Sequence, residues 1–356
     1  MPDPPDSGTA PPGPGGGAAV RSHGGGSAPP GPGGGSARAL DLRGMVECVP
    51  NFSEGRRGVV VEEIAVAFTG ADPRVLLLDR SSDPDHNRSV LTLAGPGPAL
   101  VEAAVGGAAA CARLIDLTEH RGVHPRIGAL DVLPFVPLDP AEDCVPLALE
   151  AGRRLVEEVG IPVYLYGAAA RRPGRAHLPA VRAGGFEELS LTAGSDPERA
   201  PDLGGPGPHP TAGATAVGVR PFLIAYNVNL ATRDVAVARR IASAVRERDG
   251  GLPSVRALGL PLERRRLTQV SMNLLDFRVT GLETAFAAVA RLAADAGVEV
   301  ASSEIVGLVP EAALAGVCPE GLKLQGFSRD LVVEERIRRE IAARASSARQ
   351  QGGFFI

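Results

Sequence analysis

The sequence predicts an α+β fold in two halves, because two stretches of the chain repeat the same order of elements. The second half runs strand, helix, strand, strand, helix, strand, from "PFLIAYNVNLA" to "VEVASSEIVGLVP". The first half shows the same order from Met45 to about Leu138 and then adds a helix and a strand. This split βαβ order predicts two ferredoxin-like domains, with helices on the outer faces of mixed sheets and a cleft between the sheets.

The elements of the first half follow from their periodicity and their end signals. The run "MVECVPNFS" predicts the first strand, and helical spacing up to Gly70 predicts the first helix. The strands "RVLLLDRSS" and "NRSVLTLAG" flank the turn "SDPDH", and an Ala- and Val-rich helix runs from Pro98 to Leu114. "IGALDVLPFVPL" predicts an edge or bulged strand because it contains prolines; a helix over 141–159 and the strand "IPVYLYG" follow.

The second half follows a stretch, 171–218, that is rich in Gly, Pro and Ala and has little periodicity. Such a stretch is typical of a functional loop or a linker. Beyond it, "RDVAVARRIASAVRERDG" and "LETAFAAVARLAADAG" predict helices among the strands, and a last helical segment covers about 329–345. We therefore predict four regions: a disordered tail (1–43), a first subdomain including the long loop (44–218), a second subdomain (219–326), and a C-terminal helix and tail (327–356).

Composition predicts a soluble, cytoplasmic protein. The first 38 residues are almost entirely Gly, Pro, Ala and Ser, which bury too little apolar surface to order, and they lack the pattern of a secretory signal. No run approaches the roughly 20 apolar residues that span a bilayer. The formal charge of −4 argues against nucleic-acid binding, and four scattered cysteines without a C-x-x-C pair indicate reduced thiols. Lys323 is the only lysine, so a single arginine carries less information than usual.

Polar residues inside predicted strands indicate a functional sheet face. Asn227 and Asn229 lie two apart, on one face of a strand, and Asn273 lies in a second strand. An exposed sheet face with hydrogen-bonded amides is the better explanation for a single such residue. Three of them tilt the balance toward a polar face that lines a cleft, and both explanations stay open.

The segment "HRGVHPRIGALD" contains two histidines, His120 and His124, in a chain with six. The proline after His124 favours extended geometry, so the pair does not form a helical metal site. We expect one of them to act as a general base, since the ordinary pKa of histidine suits this role, and we expect His120 to be a surface residue. The turn "DPDHNRS" has the composition of a solvated loop, and no second ligand set accompanies it, so no metal site is predicted.

The sequence resembles the formiminotransferases, also called glutamate formimidoyltransferases. The resemblance rests on "VECVPNFSEG", "HNRSVLTLAG", "RLIDLTEHRGVHPRIGALDVLPFVPL", "PVYLYGAAA", "LPAVRAG", "GATAVGVRPFLIAYNVNL", "QVSMNLLDF" and "VGLVP", in order from Val46 to Pro310. The bifunctional members also carry a cyclodeaminase domain. The chain leaves no room for it before Ile356, so we expect the monofunctional form.

The resemblance implies that a formimino group passes from N-formimino-L-glutamate to tetrahydrofolate, a step of histidine degradation and one-carbon metabolism. It assigns the catalytic role to His124. It assigns folate binding to a ten-residue loop: Gly204, Gly205, Pro206, Gly207, Pro208, His209, Pro210, Thr211, Ala212 and Gly213. An aspartate that assists the histidine in some members is Ser81 here, so Asp83 or Asp85 is the expected substitute.

The remaining substrate contacts are predicted from chemistry. Arginines bind carboxylates in a bidentate manner, which makes Arg126, Arg182 and Arg88 candidates for the glutamate groups. Amides both donate and accept, which makes Asn51, Asn227, Asn229 and Asn273 candidates for the pterin or amidine edges.

Tetrahydrofolate is the expected co-substrate, without a metal, in a homodimer that binds neither nucleic acid nor membrane. Two alternatives stay open: transfer of a formyl group between 5-formyltetrahydrofolate and glutamate, and a non-catalytic folate-binding protein.

Overall fold

Two β-sheets form the framework of the protein. The computed structural model describes residues 40–122, 124–139 and 141–352, so residues 1–39 of the predicted tail lie outside the described residues. The first half contains β1 (Met45–Cys48), β2 (Asn51–Phe52), α1 (Gly58–Gly70), β3 (Leu76–Asp83), β4 (Arg88–Pro96), α2 (Gly97–Leu114), β5 (Leu130–Pro137), α3 (Val145–Arg154), β6 (Val163–Gly167), α4 (Leu178–Val181), α5 (Gly185–Thr192) and β7 (Thr215–Val219). The second half contains β8 (Ile224–Leu230), α6 (Val235–Val245), β9 (Val255–Leu262), β10 (Leu267–Leu274), α7 (Leu282–Asp295), β11 (Val300–Val306) and α8 (Val333–Gly352).

The strand order confirms the ferredoxin-like arrangement in both halves. The second sheet has the order β11-β8-β10-β9 and is antiparallel throughout. In the first sheet β1 and β2 share one position, between β4 and β5, and β3 lies beyond β4. Strands β7 and β6 then extend this sheet in parallel beyond β5. The mixed character that the sequence predicts for both sheets is therefore confined to the first.

Apolar residues hold α1, α2 and α3 against one face of the first sheet. Alternate strand residues such as Phe52, Leu91 and Phe135 are almost completely buried there, in one cluster with Ile64 and Leu100 of the helices. In the second sheet Tyr226 and Val270 pack in the same way with residues of α6 and α7. Because strand side chains alternate, the remaining positions of both sheets point away from these helices. No helix in the described ranges has the length and apolarity needed to cross a membrane.

Strand β5 is central, and its prediction as an edge strand was wrong. It pairs with β1 and β2 on one side and with β7 on the other. Pro134 is tolerated because it faces the break between β1 and β2, where its carbonyl accepts a hydrogen bond from the Val49 N–H at 3.1 Å. The predicted irregularity is present as a register shift between Asn51 and Phe52.

The stretch 171–218 is folded, which its lack of apolar periodicity concealed. It contains α4, α5 and β7, so the predicted boundary between 218 and 219 falls inside a strand of the first sheet. Polar contacts fix much of it: the buried pair Arg175 and Asp202 meets at 2.6 Å, and Asp202 also accepts a hydrogen bond from the Leu165 N–H at 2.8 Å.

Both ends of the described chain pack against the body of the protein. Leu40 and Leu42 contact the second core, so residues 40–43, predicted as part of the tail, belong to the folded unit. At the other end, α8 packs against β3 of the first sheet through a cluster that includes Ile337. The helix is therefore a structural element that joins the two halves.

Glu47 of β1 is buried on the sheet face opposite α1 and α2, where Arg220 is the charge that acts on it. Burial raises the pKa of this carboxyl to about 7, while Arg220 opposes the rise. The unfolded chain loses the proton near pH 4.5 and the folded protein near pH 7. Stability therefore decreases as pH rises through that window.

We expect Glu47→Gln to remove this decrease in stability at high pH. Urea unfolding at pH 8 should show the variant more stable than the wild type by roughly 1 to 3 kcal/mol, with a smaller difference at pH 5. Glu119→Gln, at an exposed position, serves as the control. A difference between variant and wild type that is the same at both pH values would contradict the assignment.

Candidate active site

His124 lies in the segment that enters β5, beside two cationic side chains and a second imidazole. Its Nε2 atom is buried and has no hydrogen-bond partner. The His86 ring lies edge-on to it, with 6.0 Å between ring centroids. Burial, followed by the positive charges of Arg88 and Arg182 and by His86, lowers the pKa of His124 to about 3, while Asp83 opposes this effect. The ring is therefore a neutral imidazole with a free nitrogen, and, as predicted, no helix contains His120 and His124.

Arg88 and Arg182 create an excess of positive charge at this point. Arg88 donates a hydrogen bond to the Asn51 side-chain oxygen, and Arg182 forms an ion pair with the buried carboxylate of Asp131. Burial and the nearby Arg182 lower the pKa of Arg88 to about 10, against the influence of Asp131 and Asp83. The Nε–H groups of both arginines are buried without partners. Two guanidiniums, of which only Arg182 is paired with a carboxylate, keep unused donors and form a site suited to an anion.

Asn51 has a defined role in this geometry. Its amide nitrogen donates to the Val49 carbonyl at 2.7 Å, which turns its oxygen toward Arg88. Asp131, a charged residue inside the apolar run of β5, was not among the predicted site residues. The carboxylate also accepts the Ile127 N–H at 2.8 Å, so it fixes both Arg182 and the chain that leads from His124 into β5.

The loop 204–213 is attached to the segment that carries His124. Ala214 donates to the Ile127 carbonyl and Ala129 donates to the Ala212 carbonyl, each at 2.8 Å. Within the loop, the backbone of His209 exchanges two hydrogen bonds with Gly213. Gly213 has a φ of +71°, and a Cβ there would lie 2.1 Å from the Ile127 carbonyl oxygen. Only glycine fits this contact between the loop and the entrance to β5.

Two of the predicted residues have structural partners. Arg126 forms an ion pair with Glu187 of α5 at 2.8 Å, so its guanidinium connects α5 with the histidine segment. His120 is buried, contrary to the expectation of a surface residue. Its Nε2–H donates to the Asn87 carbonyl at 3.0 Å, and burial lowers its pKa.

The two candidate carboxylates differ in their surroundings. Asp83 binds the His86 ring at 2.7 Å, from Nδ1 to Oδ2. Asp85 is exposed, and it contacts Asp83 through its backbone N–H and not through its carboxylate. Among the described residues no cluster of three or more metal-ligating side chains occurs.

The second sheet has the predicted polar face. Asn227 donates to Glu304 at 3.2 Å, Asn229 donates to Ser302 at 3.0 Å, and Gln269 bridges Asn229 and Glu304. Asn273 lies at the exposed end of the same face, opposite Ala225. The hydrogen bonds described for this network all lie within the second sheet. Gln269 and Glu304 were missed, although their alternation with apolar neighbours in "LTQVSM" and "SSEIV" was a usable signal.

Two family models match the chain. The formiminotransferase domain, N-terminal subdomain, matches residues 45–220, and the formiminotransferase domain matches residues 225–336. The division between them falls after β7, in agreement with the sheet topology.

Curated relatives cover most of the chain. A glutamate formimidoyltransferase of Thermoplasma acidophilum is 46% identical over 298 residues, which is 83% of this chain and 98% of that protein. A glutamate formimidoyltransferase of Streptococcus pyogenes serotype M1 is 42% identical, over 80% of this chain and 95% of that protein. A formimidoyltransferase-cyclodeaminase of Sus scrofa is 47% identical over 76% of this chain, and the matched region covers 51% of that protein. The chain belongs to the formiminotransferase family and is a transferase of one-carbon groups.

Proposed function

We propose that the protein transfers the formimino group of N-formimino-L-glutamate to tetrahydrofolate, giving 5-formiminotetrahydrofolate and L-glutamate. The observation that carries this proposal is the buried, unpartnered Nε2 of His124 beside the unused donors of Arg88 and Arg182. A neutral imidazole next to an anion site suits a reaction in which a proton moves between two molecules that both carry carboxylates.

His124 is the general base in this proposal, and the proton that it accepts is the one that the leaving group later needs. The pterin nitrogen attacks the amidine carbon, and His124 accepts the proton that this nitrogen loses. The glutamate nitrogen then leaves with the electron pair of its bond to carbon and takes up that proton. Such acid–base catalysis typically contributes on the order of 10² to 10⁴ in rate.

Substrate binding adjusts the basicity of His124. Burial, followed by the charges of the two arginines, lowers the pKa of the ring, so the free enzyme holds a weak base. A substrate carboxylate bound between Arg88 and Arg182 offsets their charge and raises the pKa of His124 again. The base is therefore strengthened when the donor is in place.

The loop 204–213 is the proposed folate site, because it is hydrogen-bonded to the chain that presents His124. Asn51 positions Arg88, and Arg126 holds α5 against the histidine segment, so we assign both to the support of the binding site. We assign the polar face of the second sheet to the other side of a cleft between the sheets. There Asn227, Asn229 and Asn273 would contact the pterin or the amidine.

Tetrahydrofolate is the co-substrate in this scheme, and no step of it uses a metal. We also propose a cytoplasmic homodimer that acts on these small molecules without nucleic-acid or membrane partners. Light scattering of the purified protein measures the mass of the assembly directly.

The identity of the one-carbon donor distinguishes the proposed reaction from its alternatives. With tetrahydrofolate present, we expect turnover of N-formimino-L-glutamate, followed as 5-formiminotetrahydrofolate, to exceed formyl exchange between 5-formyltetrahydrofolate and glutamate at least tenfold. Greater activity in the formyl reaction would replace the assignment by a formyltransferase. Folate binding without turnover in either assay would leave a folate-binding protein.

His124→Asn tests the base. We expect kcat to fall by about 10² to 10⁴, while calorimetry shows folate affinity within a few-fold of the wild type, because the amide keeps the polar shape but cannot accept a proton. His177→Asn, at an exposed histidine, is the control. Undiminished kcat in His124→Asn would rule out this residue as the base.

Arg88→Gln tests the anion site while it retains a donor for Asn51. Loss of a charged hydrogen bond is worth about 1.5 to 3 kcal/mol, so KM for formiminoglutamate should rise roughly 10- to 100-fold. Arg113→Gln is the matched control, since Arg113 pairs with Glu63 and is largely exposed. If both variants have the same KM, Arg88 is not part of the anion site.

A further inference from the structure

The turn between β3 and β4 orients a second imidazole. Asp83 Oδ1 accepts the backbone N–H groups of Asp85 at 2.8 Å and His86 at 2.9 Å, while its Oδ2 accepts the Nδ1–H of His86 at 2.7 Å. These bonds, with the His86 backbone contribution largest, lower the pKa of Asp83, so the carboxylate is ionised at neutral pH. The neutral tautomer of His86 is thereby fixed, and its Nε2 is the nitrogen able to accept a proton.

The turn is clamped to the segment that carries His124. Asn87 adopts a φ of 49° and is buried, accepting the Gly55 N–H at 3.0 Å and donating to the Arg121 carbonyl at 3.1 Å. A Cβ on Gly122 would lie 2.4 Å from the His86 carbonyl oxygen, so the two backbones are in direct contact. The backbone that carries His86 is therefore held against the segment that leads to His124.

The two rings differ in exposure and in charge environment. The His86 side chain is 49% exposed, whereas the Nε2 of His124 is buried. A proton on His124 lies next to the guanidiniums of Arg88 and Arg182, which oppose it. A proton on His86 lies next to a carboxylate. Coulombic interactions therefore favour movement of positive charge from the first ring to the second.

We propose that His86, held by Asp83, is a second catalytic residue, which receives the proton from His124 and delivers it to the leaving glutamate nitrogen. This inference rests on the proposed function. The N–H bond of the attacking pterin nitrogen breaks and its proton passes to His124. The proton then crosses to His86 Nε2 through one water molecule that bridges the rings. It joins the glutamate nitrogen as the carbon–nitrogen bond breaks and the electron pair stays on that nitrogen, so both rings end neutral.

The arrangement also accounts for the serine at position 81. The resemblance led us to expect a carboxylate there. In this chain the carboxylate is Asp83, at the end of β3, and it acts on the reaction through an intervening imidazole.

Two variants at position 86 test the inference. We expect His86→Gln, which keeps a hydrogen-bond donor for Asp83, to lower kcat about 10²-fold with little change in KM or folate affinity. We expect His86→Ala to lower kcat by at least the same factor. Added imidazole should restore part of this activity, since the His86 side chain is half-exposed to solvent. Asp83→Asn should lower kcat by a smaller factor than His86→Ala. The double variant Asp83→Asn, His86→Ala should have a kcat no lower than that of His86→Ala alone.

His177→Ala with and without imidazole controls for nonspecific effects of the buffer. A kcat of His86→Gln within twofold of the wild type overturns the inference. So does a loss in His86→Ala that imidazole does not relieve, because His86 then only shapes the turn. Inactive wild-type protein would instead refute the proposed function, so the two failures are distinguishable.

Discussion

The site depends on the pairing of two short backbone segments, 127–129 and 212–214. Hydrogen bonds between them, together with the Gly128–Gly213 bridge, join a loop from the end of the first half to the entrance of β5. Residues far apart in sequence thereby come into one place: the histidine segment, the loop and the buried Asp131. A side chain at Gly213 would separate them, because its φ is positive and the Ile127 carbonyl occupies the space.

Uncompensated charge is the second determinant of the site. Burial of two guanidiniums with one carboxylate costs free energy, since buried charges are stable only when paired and hydrogen-bonded. In the proposed function this cost is offset when an anionic substrate completes the pairing. Recognition is then linked to reactivity, because burial and these two charges together lower the pKa of His124 in the absence of a substrate.

The sequence predicted the ferredoxin-like halves because their elements have strong apolar periodicity and clear end signals. The prediction failed for residues 171–218, where ion pairs such as Arg175 and Asp202 fix the chain in place of periodic apolar residues. It also failed to place β5 in the centre of the sheet, because no local pattern reveals that Pro134 faces the break between β1 and β2. At the site, the motif resemblance indicated His124 and the loop. The partners of Arg88 and Arg126 and the edge-on contact of His86 with His124 depend on contacts between distant segments. Local spacing carries no information about them.

The path of the last helix has a consequence for the cooperativity of unfolding. Helix α8 follows the second half in sequence but packs on β3, and Arg344 donates to the Val75 carbonyl at 2.8 Å. Leu40 and Leu42, which precede β1 of the first half, contact the core of the second half in turn. Each half thus contributes a terminal segment to the stability of the other. Detachment of either segment exposes apolar surface on both, so we expect the two halves to unfold in a single transition despite their separate sheets.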